Sequence, residues 1–199
     1  MPRLEGKNIL MIIPKDYYEE DQLEIPKKIF KEEGAQVFVA STKLKEAVGM
    51  KSGRHMPDLL IVDAIEGITG DSYVTSAKGT RQIKGVFHGT VVVGGTGTRK
   101  YLWKEKLVRL LLTDRFRARM VVGAIGTAVP CLGEAGLLEN IEVAAEQNKH
   151  TLPELDQAAA ILVDDDLCVH DRLITARDSS VAEKFAWAMV DAVAQTAIK

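Results

Sequence analysis

Residues 7–42 read KNILMIIPKDYYEEDQLEIPKKIFKEEGAQVFVAST, and this stretch decides the fold. Asn8 to Ile13 is a continuous apolar-rich run of strand length, bounded by Lys7 and Pro14. A run without polar alternation suits a strand covered on both faces, as in a parallel sheet. In the segment that follows, Leu23, Pro26, Ile29, Phe30 and Glu33 fall near helical spacing. Asp21 is read as the N-cap, and Gly34 as the residue just past the helix end. Pro26 then lies in the first turn or kinks the helix. AQVFVAST is a second strand run, so strand, helix, glycine and strand make a βαβ unit with a right-handed crossover.

The same grammar recurs. GTVVVGG (Gly89 to Gly95) is a strand ending in a glycine pair. A helix is expected from about Arg99 to Leu112, with Trp103, Leu107, Leu110 and Leu111 on one side. MVVGAIG (Met120 to Gly126) is another buried strand, and TAVPCLGEAGLL suits a short helix closed by Gly136. LCVHDRLIT alternates around Asp171-Arg172 like a hairpin. Ser180 to Glu183 has the S-x-x-E form of a capping box. Val181, Phe185, Ala188, Met189, Ala192 and Val193 give the last helix one apolar face. Between Lys43 and Phe87 the pattern is less legible: DLLIVDAIEGIT holds a strand, while KSGRHMP and TSAKGTRQ read as loops. No internal repeat or Pro/Gly/Ser-rich linker divides the chain. The expected architecture is one domain over 1–199, a three-layer α/β sandwich with helices on both faces of a mainly parallel sheet. Asn8–Ile13, Val37–Ala40, Thr90–Val93 and Val121–Ile125 should be parallel neighbours in it.

The 199 residues are 46% hydrophobic and 27% charged, proportions of a folded globular chain. Lys plus Arg is 26 against 28 for Asp plus Glu, a net charge of −2, which lacks the basic footprint of a nucleic-acid binder. No apolar run approaches the roughly 18 residues of a membrane span. The N-terminus has neither the apolar core nor the cleavage site of a signal peptide. Two cysteines, Cys131 and Cys168, make no disulfide scaffold. The expectation is a soluble cytoplasmic protein without a cofactor, a nucleic-acid partner or a membrane partner.

Ligands of open parallel sheets sit beyond the carboxyl ends of the strands. Pro14 to Gln22, Gly94 to Thr98 and Gly123 to Thr127 point at such an edge. The last has the form of a nucleophile elbow, a buried strand turning sharply into a helix.

GAIGTAVPCLGEAGLL resembles the elbow and following helix of the ThiJ/PfpI superfamily, the family of the Parkinson-disease protein and archaeal intracellular proteases. VVVGGTGTRKYLW is similar to that family's strand ending in Pro-Gly-Gly. YYEEDQLEIPKKIFKEEGAQVFVAS resembles its first helix and second strand, and LITARDSSVAEKFAWAMVDAV its C-terminal serine-arginine segment and last helix. The four motifs stand in the family's order and span most of the chain except 43–87. The resemblance implies a flavodoxin-like, class I glutamine amidotransferase-like fold and a homodimer. It also implies a cysteine nucleophile at the elbow, activated by a glutamate of the first helix. Here the elbow reads Ala124-Ile125-Gly126-Thr127, with glycine at the nucleophile position, and the glutamate position falls on Gln22. Glycine supplies no nucleophile, and an amide cannot exchange a proton with a thiol as a carboxylate can.

The leading expectation is therefore a family member without the family's cysteine chemistry, working as a small-anion or ligand-binding or interaction protein. Gly95 and Thr127 match the positions whose backbone N–H groups would form the oxyanion hole, and Glu19, Gln22 and Gly126 complete the expected ligand-binding set. Glu19 and Glu20 could line the pocket or simply reflect the preference for acids at helix starts. The alternative is a hydrolase, glyoxalase or deglycase-type enzyme with a relocated nucleophile such as Cys131, which is otherwise a core thiol. Cys168 and His170 share a strand face at spacing two, an arrangement read as packing and solvent exposure. Asp164, Asp165 and Asp166 read as solvated. His55, His88 and His150 show no metal-ligand spacing. Gly94 to Gly97 lacks the Gly-Lys-Ser/Thr ending of a phosphate loop.

Overall fold

The apolar run near the N-terminus forms β1 (Asn8–Ile12), and helix α1 (Glu20–Glu32) returns the chain to β2 (Gln36–Ser41), parallel to β1. The structure is a computed structural model and describes residues 1–65, 73–76, 79–82 and 86–197. A small antiparallel pair, β3 (Ala47–Val48) and β4 (Arg54–His55), precedes β5 (Leu59–Leu60) and α2 (Ile61–Ile65). The hairpin of β6 (Tyr73–Ser76) and β7 (Gly79–Gln82) comes before β8 (Gly89–Val92). Helices α3 (Gly97–Tyr101) and α4 (Lys106–Arg117) lead to β9 (Val121–Ile125). Then follow α5 (Val129–Glu134), β10 (Glu142–Val143), α6 (Thr151–Gln157) and β11 (Ile161–Leu162). The pair β12 (Leu167–His170) and β13 (Leu173–Ala176) and helix α7 (Ala182–Ala194) come last.

Seven strands form the main sheet in the order β12-β13-β9-β8-β1-β2-β5. Every pairing in it is parallel except β12 with β13 at one edge. The continuous apolar runs are explained by cover on both faces. Ile9, Met11 and Ile13 face one core with Leu23 and Phe30 of α1 and Phe185 and Met189 of α7. Leu10 and Ile12 face the other core with Leu111 and Leu112 of α4 and Leu132 of α5. From β1 the chain moves to β2 on one side, while β8 lies on the other. The strand order thus reverses between β1 and β8, which opens a crevice beyond their carboxyl ends.

Several local expectations are corrected. Helix α1 starts at Glu20, so Asp21 lies in its first turn and is not the N-cap; Glu19 is, without a side-chain cap. The Glu19 N–H donates instead to the Gly94 carbonyl at 2.8 Å, which fixes where the chain turns into the helix. Pro26 sits inside the helix, past its first turn, where its missing N–H leaves the Gln22 carbonyl without the usual i+4 donor. The helix expected from Arg99 to Leu112 is two helices, broken around Trp103, whose indole N–H donates to the Thr127 carbonyl at 2.7 Å. The break turns α4 so that Val108, Leu111 and Leu112 are buried while Leu107 and Leu110 are exposed. Asp178, not Ser180, caps the start of the last helical segment, accepting from the Ser180 N–H at 2.9 Å. KSGRHMP contains β4, and TSAKGTRQ contains the end of β6 and all of β7. DLLIVDAIEGIT holds only the two-residue β5 before turning helical, and its residues 66–69 lie outside the described residues.

Candidate functional site

Three loops meet at the crevice: Pro14 to Glu19 after β1, Gly94 to Thr96 after β8, and Gly126 to Ala128 after β9. The elbow keeps its strained form, because Gly126 has φ +65°, a left-handed conformation that costs side-chain-bearing residues about 1–2 kcal/mol. A Cβ at Gly126 would lie 2.8 Å from Nε2 of Gln22. Gln22 is 2% exposed and locked at both ends of its amide. Its Oε1 accepts from the Gly94 N–H at 2.8 Å, and its Nε2 donates to Ser179 Oγ at 3.1 Å. Any side chain at position 126 would therefore meet the Gln22 amide.

Gly95 and Thr127 sit directly above this plug. Gly95 has φ +132°, and any side chain there would run into the backbone of Tyr17 to Glu19. Its N–H donates to Thr127 Oγ1 at 2.9 Å, and that hydroxyl lies 3.1 Å from Thr98 Oγ1. The Gly95 donor expected to face a ligand is therefore engaged within the protein. Glu19 stands apart, 3.3 Å from Lys51, and Glu20 turns to the loop after β3, accepting from the Lys51 and Gly53 N–H groups.

Beside Gly95 and Thr127 opens a cleft of about 260 Å³, whose other walls include Arg99, Trp103, Glu146, Asn148 and His150. Gly95 and Thr127 thus line the cleft, while Gln22 and Gly126 pack beneath it and Glu19 does not reach it. The far wall is positioned by local hydrogen bonding. The Glu146 N–H reaches the Gly126 carbonyl at 3.4 Å, tying this wall to the elbow. Asn148 Oδ1 accepts from the His150 and Thr151 N–H groups at 2.8 and 3.0 Å, ordering the turn into α6. Partial desolvation, then the charges of Arg99 and Lys149, lower the pKa of His150. Sequence reading missed this wall. An Asn-x-x-Thr capping pattern at 148–151 was its one local signal, and His150 was weighed only as a metal ligand.

Both cysteines have raised thiol pKa values. Cys131 is 1% exposed on α5, and burial, then the Glu134 charge, push its thiol pKa far up. Cys168 is half-buried and is shifted the same way by desolvation, then by Asp165 and Glu142. Asp166 of the acidic run pairs with Arg177 and Lys184. Among the described residues no three His, Cys, Asp or Glu side chains gather as metal ligands, and no helix is long and apolar enough to cross a membrane.

The profile of the DJ-1/PfpI family matches residues 7–192, and the chain belongs to that family. An uncharacterized protein of Methanocaldococcus jannaschii is 28% identical over 188 residues, 94% of this chain and 82% of that one. A ThiJ/PfpI domain protein from Brachyspira murdochii has a similar structure, with TM-score 0.80 and 24% identity over 97% of this chain and 99% of the other. The DJ-1beta structure of Drosophila melanogaster matches with TM-score 0.76 and 21% identity over 96% and 91% of the two chains.

Proposed function

We propose that this chain is a non-catalytic member of its family that binds a small anionic ligand in the cleft above the elbow. The observation that carries the reading is the packing of Gln22 against Gly126. Nucleophile and general base are replaced by a pair that fills the same space and is hydrogen-bonded on both sides, as a structural plug would be. The cationic Arg99 on the cleft wall and the Thr127–Gly95 pair at its floor supply the recognition surface. On this reading residues 1–199 act as one domain, in the cytoplasm and as a homodimer, without nucleic acid or a cofactor. Two unpaired cysteines fit a reducing compartment. Light scattering should then give twice the 21.8 kDa chain mass at micromolar concentration, and the chain mass itself would contradict the dimer.

Reactivity of the thiols tests the central reading. Iodoacetamide near pH 6 labels thiolates selectively, and a nucleophilic cysteine keeps a large thiolate fraction there. The native protein should label no faster than a buried or ordinary thiol. Rapid labelling at Cys131 would restore the enzyme reading.

A further inference from the structure

Two charged side chains on the walls of the cleft meet no charged partner among the described residues. Arg99 Nη1 lies 3.3 Å from Nε2 of the His150 ring. Glu146 Oε1 has only the Asn148 amide, at 3.5 Å, the limit of a hydrogen bond. Charge next to the cleft is handled differently: Lys104 is held between Glu134 and Glu154, the latter at 2.9 Å. Exposed charges often go unpaired, yet these two line a single cavity of about 260 Å³ without bonding to one another. Trp103, 4% exposed and with its N–H already donated to Thr127, adds an apolar surface with no further polar demand.

Taking the ligand-binding reading above as its basis, we infer that the cleft is built for a small zwitterion of the α-amino acid class, with its carboxylate on Arg99 and its ammonium on Glu146. A guanidinium meets a carboxylate through two parallel N–H···O bonds, and an ammonium donates to a carboxylate in a charge-assisted bond. A simple anion on Arg99 would leave Glu146 as a like charge in the same cavity, and a simple cation would meet Arg99. Only a ligand with both ends satisfies both walls, so each wall rejects one class of competitor. The apolar face of Trp103 would take a short side chain.

Calorimetry tests this on the full chain with L-leucine and L-serine, against 4-methylpentanoate, which lacks the amine, and 3-methylbutylamine, which lacks the carboxylate. Fluorescence in a Trp187→Phe background reports on Trp103 as a second readout. At least one amino acid should bind, with either one-ended analogue about tenfold weaker or worse, the scale of one charged hydrogen bond. Glu146→Gln should weaken amino-acid binding by about tenfold and leave 4-methylpentanoate unweakened, whereas Arg99→Ala should weaken both acids. If 4-methylpentanoate binds as well as leucine and Glu146→Gln changes nothing, the zwitterion inference fails while anion binding stands. If the amine binds best and Arg99→Ala is silent, both fail. If none of the four moves heat or fluorescence at millimolar concentration, both fail as well.

Discussion

Gln22 and Gly126 pack directly against each other at the elbow. With no Cβ at Gly126, the Gln22 amide lies where it bonds both Gly94 and Ser179, and a restored Cβ would approach it to 2.8 Å. Gly126→Ala should therefore lower stability by about 1–3 kcal/mol through the positive φ and the contact together. In a Gln22→Ala background the contact term vanishes, so the cost of Gly126→Ala should shrink, with a coupling of about 0.5–3 kcal/mol in a double-mutant cycle. Urea denaturation of the four proteins measures it; strict additivity would mean that the plug is not a unit. The strand-to-helix turn at Gly126 and the helix carrying Gln22 were legible in the sequence. Their mutual packing was not, because residues 104 positions apart carry no spacing signal. The same holds for Thr127 Oγ1 and the Gly95 N–H: the backbone donor was recognised, but not the hydroxyl that occupies it.

At the scale of elements, buried parallel strands are read well because a strand covered on both faces must be apolar throughout. The helices read less well where one tertiary bond overrides a period. A continuous helix through Trp103 was the natural reading of 99–112, yet the helix stops before Trp103, whose indole bonds the Thr127 carbonyl, and in the helix that follows Leu111 stays buried while Leu107 and Leu110 are exposed. Capping shows the same limit. Ser180 and Glu183 match a capping box, but Asp178 stands where its carboxylate meets the Ser180 N–H. Asp178→Ala should accordingly cost about 1 kcal/mol, as lost N-caps do, while Glu183→Ala stays within about 0.5 kcal/mol. Equal losses in thermal or urea unfolding would reinstate Ser180 as the cap. The short β3–β4 pair went unread because strands of two residues have no period to detect, and Glu20 holds their connection from outside through Lys51 and Gly53.

For the whole molecule, stability should fall on the acid side of neutrality. His88 is 2% exposed, accepts from the Asn8 N–H at Nδ1, and has a pKa lowered by desolvation and then by the Lys7 charge. His55 is shifted the same way, mainly by desolvation. Both folded pKa values lie below the unfolded value near 6.5, so the unfolded chain binds more protons as pH drops through about 6.5. Stability is then flat above roughly pH 7.5 and declines below 6.5, at up to about 1.4 kcal/mol per pH unit for each group until it protonates in the fold. Asp16 and Asp178, whose pKa values are lowered by their hydrogen-bond partners, add a second loss only in the more acidic carboxylate range. His88→Asn should flatten the limb between pH 6.5 and 5 in urea titrations; an unchanged slope would clear His88 of the effect.

The central claim concerns the elbow itself, and methylglyoxal turnover measures it most directly. Wild type, Gly126→Cys and the double variant Gly126→Cys/Gln22→Glu are compared at equal concentration. The account predicts background loss for the wild type and a weak signal for the single variant, whose thiol lacks an acid–base partner. The double variant should then gain well beyond it, on the scale of about 10²–10⁴-fold for a general acid–base group. Clear wild-type turnover would contradict the account, whether it survives replacement of Cys131 and Cys168 by Ala or is abolished by Cys131→Ala alone.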